Sequence, residues 1–248
     1  MRISKSWIIA AKDFKIFSKK KYVIYSLVAV PLIVGLLLPL VVYYAEYEKG
    51  GTRLAPAELL VLLPAFLSFY LILAGVVPNA IASYTLVGEK VEKSLEPLLA
   101  TPTTDGEILL GKGIAAFLPP IGSVWGGAAV LMILMDAVTH DKLGYYYFPT
   151  WNTAVFLLLL VPLAVMLSVE VNVMISAGVS DVRTAQQLGY LMALPYAGIY
   201  LAGQRNLVNL GDTNDLLTIS GILLAAVVAL LFLVRTTFSR EEILTRWK

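Results

Sequence analysis

The 248-residue chain is 58% hydrophobic and only 15% charged, and its 19 basic and 17 acidic side chains leave a net charge of +2. A soluble domain carries roughly a quarter of its residues as charges, so this composition, with apolar runs of about twenty residues, excludes an ordinary soluble protein and implies a polytopic helical membrane protein. There is no cysteine and His140 is the only histidine, which excludes a disulfide framework, a thiolate zinc site, a cysteine nucleophile and a multi-histidine metal centre.

Residues 2–20 read as an amphipathic helix. Ile3, Trp7, Ala10, Phe14 and Phe17 recur at three- and four-residue spacing, with Lys5, Lys12, Lys15 and Lys19 on the other side. A basic helix with Trp and Phe on its apolar face suits the membrane interface and anionic headgroups. The basic start runs into a full-length apolar segment rather than a short one with a small-residue cleavage site, so no removable signal peptide is expected.

Six spans are predicted, at about 22–44, 58–86, 106–136, 152–178, 185–203 and 216–236. With the N-terminus inside, only Lys49, Arg53, Lys142 and Arg205 of the 19 basic residues fall on the outer side. That asymmetry places both termini in the cytoplasm. The outer connectors 45–57, 137–151 and 204–215 are too short for a receptor domain. The second is aromatic (Tyr145, Tyr146, Tyr147, Phe148, Trp151), as an interfacial belt is, and Asp136 at its edge is expected to be wet.

Prolines punctuate five of the spans: Pro31, Pro39, Pro64, Pro78, Pro119, Pro120, Pro162 and Pro195. Such breaks persist in a membrane where neighbouring groups satisfy the freed carbonyls. Gly122, Gly126 and Gly127 offer a close helix approach. In the fourth span Ser168, Asn172 and Ser176 form a polar stripe at i, i+4, i+8. Glu170 lies about 200° around the helix from Ser168. An intramembrane acid is a functional candidate by default, alongside a protonated or water-bridged structural role. Lys112 and Arg183 are the nearest candidate partners. Glu170 and Asn172 are the intramembrane functional candidates, and one of the two surfaces is a candidate inter-subunit seam.

The long polar stretch 82–114 separates the second and third spans. Glu89, Glu92, Lys93 and Glu96 share one helical face; Val91, Leu95, Leu98 and Leu99 form the opposite one. Two to three isolated helical turns are marginal in water, so this helix must dock on something. Pro97 and Pro102 limit it, and Thr104-x-x-Glu107 is a capping box that starts a new helix. Gly106-x-x-x-x-Gly111-Lys112 imitates a phosphate loop, but the next residue is Gly113 rather than Ser or Thr, and apolar residues in a capped helix replace the glycine-rich loop. The chain binds no nucleotide by this motif.

Gly88-Glu89-Lys90-x-Glu92-Lys93-Ser94-Leu95-Glu96-x-Leu98-Leu99-Ala100-Thr101-Pro102, followed by Glu107-Ile108-Leu109-Leu110-Gly111-Lys112, resembles the signature of ABC-2 type permeases, the membrane subunits of a class of ATP-binding cassette exporters. The match departs at Val91, where many relatives are polar. Residues 176–187 resemble that family's loop between spans four and five. The resemblance implies an all-α integral membrane fold over 1–248: a cytoplasmic interfacial helix (1–21), six spans (22–236) with a coupling helix near 88–100, and a cytoplasmic tail (237–248). It implies that Glu89, Glu92, Lys93, Leu95, Glu96, Leu98 and Leu99 seat in an ATP-binding subunit, with Asp181 and Arg183 as a secondary cytoplasmic contact. ATP and Mg would sit on the partner ATPase and this chain would hold no cofactor or metal. The further partners are a second permease copy or paralogue, in a homodimer or heterodimer, and the bilayer, with no nucleic acid. The expected role is export of a small amphiphile, lipid, drug or ion across the cell membrane. The alternative is an ion-coupled secondary transporter or channel, which would want inverted repeats and several intramembrane charges. An intramembrane enzyme would want a catalytic motif that is absent.

Overall fold

The computed structural model describes residues 3–47, 55–84, 87–88, 103–205 and 207–237, and those residues form an all-helical bundle without strands. In chain order the helices are α1 (Ile3–Phe17), α2 (Lys21–Tyr47), α3 (Pro56–Val76), the short α4 (Asn79–Ala82), α5 (Asp105–Leu143), α6 (Trp151–Val155), a π-helical turn (Phe156–Leu160), α7 (Val161–Gly178), α8 (Val182–Gly189), a 3₁₀ turn (Tyr190–Met192), α9 (Ala193–Gln204) and α10 (Thr213–Thr237).

Among the described residues, five helical stretches are long and apolar enough to cross a membrane: Lys21–Ala45, Pro56–Ala82, Gly106–Leu143, Trp151–Ser176 and Thr213–Leu233. They coincide with five of the six predicted spans. The other, 185–203, is not one helix. It is α8, the 3₁₀ turn and α9 in succession, with a change of winding just before Pro195, where a residue lacks its amide donor.

Helix ends follow the local chemistry. The side chains of Thr104, Thr150 and Asp181 cap α5, α6 and α8. Gly144, at φ 75°, closes α5 in the left-handed conformation that glycine adopts without strain. Two turns before it, within α5, Asp136 is buried, not wet as expected. Its carboxylate accepts from the amides of Tyr147 (3.0 Å) and Phe148 (3.1 Å) and folds the aromatic connector back onto α5.

α5 is the strut against which the others lean; α1, α2, α3 and α7 all pack on it. Two proline-induced gaps are repaired from it. Pro31 has no N–H for the carbonyl of Leu27 four residues back, and the Ser123 hydroxyl donates to that carbonyl. In the π-helical turn Val161 N–H bonds Phe156 O five residues back, so Pro162 would have served Leu157 O. The Trp125 indole N–H donates there at 2.8 Å. Helices α2 and α5 meet through Gly127: a Cβ on it would lie 2.6 Å from Pro31 Cβ, and one on Gly35 would lie 2.8 Å from Gly127 O. Gly122 and Gly126, two of the three glycines expected at the close approach, face open space instead. The core runs through Leu63, Leu67, Tyr70, Leu71, Leu131, Leu160 and Val165, and Tyr70 Oη donates to Pro31 O at 3.0 Å within it.

Candidate functional site

The residues that flank 89–102 on both sides are held by a dense set of contacts. The predicted docking residues Glu89, Glu92, Lys93, Leu95, Glu96, Leu98 and Leu99 themselves lie outside the described residues. On the C-terminal flank, Thr104 Oγ1 accepts from Glu107 N (3.3 Å) and Glu107 Oε2 accepts from Thr104 N (3.1 Å). This reciprocal box satisfies two of the amides that a helix start leaves over. Residues 106–113 are helical from there on, the geometry that a phosphate loop cannot have.

One turn further, α1 is clamped to α5. A Cβ on Gly111 would sit 2.6 Å from Ser6 O and 2.9 Å from Ile9 Cβ, so backbone and side chain meet with no room for more. Lys112 and Asp13 form an ion pair at 3.7 Å, with side chains 1% and 5% exposed. The face of α1 against the bundle is Ser6, Ile9, Ala10, Asp13 and Phe17. Trp7, read on the apolar face of this helix, is about half exposed, and its ring meets that of Phe14 edge-on at 6.3 Å. Lys12, Lys15 and Lys19 are exposed. Lys112 was a candidate partner for Glu170 and is instead committed to Asp13.

On the N-terminal flank the second spanning stretch ends in α4 and a turn. Ser176 Oγ, near the end of α7, donates to Ser83 O (3.0 Å) and accepts from Val87 N (3.0 Å). Lys20 Nζ lies 3.3 Å from the centroid of the Tyr84 ring, a cation–π contact. Gly88 packs onto the other atoms of that ring so closely that a Cβ there would overlap it. The α1–α2 elbow, the exit of α4 and the end of α7 thus converge where residues 89–102 begin.

The polar stripe of the fourth span is internal rather than a seam with a second subunit, for Ser168, Asn172 and Ser176 are all fully buried. Ser168 Oγ meets Tyr196 Oη at 3.1 Å, and Tyr196 Oη donates to Ala164 O at 2.8 Å. Asn172 Nδ2 donates to Ser168 O (2.7 Å), and Asn79 Nδ2 to Gln186 O (2.8 Å). Both amide oxygens abut Gly189, where any Cβ would collide with them. Among the described residues those two oxygens accept no hydrogen bond. Asn172 thus lies between α7 and α8, against Gly189.

Glu170 sits elsewhere on α7, buried, and neither carboxylate oxygen has a hydrogen-bond partner among the described residues. Asp181 is exposed and caps α8, accepting from Thr184 N and Oγ1, each at 2.9 Å. Those bonds hold its carboxyl below the ordinary carboxylate range. Arg183 stands beside it in the first turn of α8. At the far end of α5 a small open cleft is lined by Pro64, Ser68, Phe148, Thr153 and Gly211. No group of three or more His, Cys, Asp or Glu able to hold a metal occurs among the described residues.

Sequence reasoning missed Asp13 and the bridging role of Ser176. Asp13 had a visible signal: it is four residues from both Ile9 and Phe17, an acid on the same helical face as two large apolar side chains. Ser176 had none, because the group it bridges is 89 residues away in sequence.

Compared with known proteins, the chain matches over residues 7–210 the family described as ABC-2 family transporter protein. A search of curated proteins finds no match.

Proposed function

The chain belongs to the ABC-2 transporter family, a multi-pass membrane transport component, and from that premise we propose that it is the permease subunit of an ATP-binding cassette exporter, driven by ATP hydrolysed in separate subunits. The observation that carries the proposal is the double anchoring of residues 89–102. Their N-terminal flank is tied to α7 through Ser176, and their C-terminal flank enters α5 through the Thr104–Glu107 box. Displacement of a segment so attached would bear on the spanning helices at both ends.

In this reading 88–100 is the coupling helix. Glu89, Glu92, Lys93 and Glu96 meet charged residues of the ATPase, while Leu95, Leu98 and Leu99 fill its groove. Asp181 and Arg183 make a secondary contact from the next cytoplasmic connector. The stretch 182–204 serves as a sixth, discontinuous span, which puts both termini on the cytoplasmic side with α1 at the membrane interface. ATP and Mg belong to the ATPase, and two permease chains pair in the assembly. Small outer connectors suit a small amphiphile, lipid, drug or ion as cargo.

The test is charge reversal at Glu92 or Glu96. Each variant is expected to insert normally and to lose permease-dependent ATP hydrolysis and transport in reconstituted vesicles screened across cargo classes. A variant that binds its ATPase and transports at the native rate removes this face from the mechanism.

A further inference from the structure

In an unbroken α-helix the N–H of each residue bonds the carbonyl four residues back. The chain leaving α4 keeps to that rule at some residues and departs from it at Tyr84, whose N–H bonds Ile81 O three residues back at 3.0 Å. Ala82 N bonds Pro78 O (2.8 Å), Ser83 N bonds Asn79 O (3.2 Å) and Gly88 N bonds Tyr84 O (2.9 Å). For Val87 the matching acceptor is Ser83 O. There the hydroxyl of Ser176 stands between the two: it accepts from Val87 N at 3.0 Å and donates to Ser83 O at 3.0 Å. A side chain inserted into the helical ladder is one of the few physical causes of a sharp break. Ser83, Val87 and Ser176 are all fully buried, so water does not compete, and hydrogen bonds in such surroundings are strengthened. The Ser83 hydroxyl also turns back onto Asn79 O, a bond that bends helices.

We propose that Ser176 is the positioning residue of a hinge: its hydroxyl pins the exit of the second spanning stretch to the end of α7, so that a displacement of residues 89–102 turns α7 as well as α5. The proposal rests on the coupling reading above. Both states of the hinge are chemically complete. With the hydroxyl inserted, the Val87 donor and the Ser83 acceptor are satisfied by Ser176. With it withdrawn, Val87 N–H reaches Ser83 O directly, and a serine in a helix can bond the carbonyl four residues back, here that of Asn172. Neither state strands a buried peptide group, which is what permits a two-position element. No covalent step is involved.

The experiment exploits the absence of native cysteine. Spin labels are placed at Lys90→Cys and at Gly178→Cys, the latter a position where an added Cβ meets nothing within 4 Å. Distances are measured on the full-length permease in vesicles, first alone and then with its ATPase and ATP. The native hinge is expected to give one narrow distance, and Ser176→Ala a broadened or displaced one. Ser168→Ala, the same change two turns away on the same stripe, is expected to leave the distance narrow. With the ATPase present, Ser176→Ala is expected to lose the permease-dependent rise in ATP hydrolysis. An unaltered distance in Ser176→Ala, or equal broadening in Ser168→Ala, overturns the hinge. A broadened distance with a normal ATPase response overturns its role in transmission. The coupling premise fails separately, if charge-reversed Glu92 or Glu96 couples normally while the labels still respond to Ser176→Ala.

Discussion

The Asp13–Lys112 pair allows a quantitative test of how firmly α1 is bound to α5. The charges lie 3.7 Å apart with side chains 5% and 1% exposed. Coulomb's law with an effective dielectric of about 20 gives roughly 4–5 kcal/mol at that distance. The separation exceeds the roughly 2.7–2.9 Å of a short charge-assisted bond, and two desolvated ions offset part of the attraction, so the net coupling should be about 2–3 kcal/mol. A double-mutant cycle measures it: Asp13→Asn, Lys112→Met and the two together, each scored by unfolding of the purified permease in one detergent. The cycle cancels whatever other contacts either residue makes, provided each change removes the pair without creating new ones. Each single change should destabilise the protein, and the double variant should be less damaged than the sum of the singles. Strict additivity, within about 0.5 kcal/mol, refutes the claim that this pair joins the helices.

Two further predictions concern the bundle. Trp125→Phe removes the donor to Leu157 O and should cost about 1–3 kcal/mol in the same assay, but less in a Pro162→Ala background, where residue 162 regains an N–H for that carbonyl; an equal loss in both backgrounds refutes the repair. Gly189→Ala drives a methyl group onto the amide oxygens of Asn79 and Asn172 and should lower the thermal midpoint by an amount corresponding to about 1–3 kcal/mol of overpacking, while Gly178→Ala should be nearly silent; equal effects from the two glycines would show that α8 does not press on the polar seam.

The positions of five spanning stretches, the capping box at Thr104 and the helical setting of Gly106–Lys112 were legible because each rests on local pattern: apolar length, a spacing of three, a missing loop. The 185–203 stretch was apolar enough to read as one span, yet hydropathy carries no information about a change from α to 3₁₀ winding. Asp136 was misjudged because its position near a helix end implied solvent, whereas the connector that buries it returns from 11 and 12 residues further on. Which residues of α1 meet the bundle was not legible either, for a related reason. An amphipathic pattern says that a helix has an apolar side, not whether that side meets lipid or protein. On α1 the bundle takes Ser6, Ile9, Ala10, Asp13 and Phe17, polar members included, and leaves Trp7 and Ile8 outward.

That division of faces bears on where the membrane lies. At about 1.5 Å per residue, the 39 residues of α5 extend close to 60 Å, about twice the apolar thickness of a bilayer. A large part of the helix therefore projects from the hydrocarbon layer. An ion pair is expensive at mid-bilayer, which supports the proposal that the end carrying Lys112 lies at or beyond the membrane surface, with α1 along it. Its outward side suits the position: Trp7 and Ile8 are exposed beside Lys12, Lys15 and Lys19, a combination that partitions between acyl chains and anionic headgroups. The same rod carries the clamp to α1, the capping box, the Ser123 bond to the gap in α2 and the Trp125 bond to the π-helical turn. In the proposed coupling, a force that enters α5 at the capping box would reach the clamp to α1, the gap in α2 and the π-helical turn along one continuous helix. Two of those points are carbonyls that proline left without an amide, the places where α2 and the α6–α7 stretch bend at least cost.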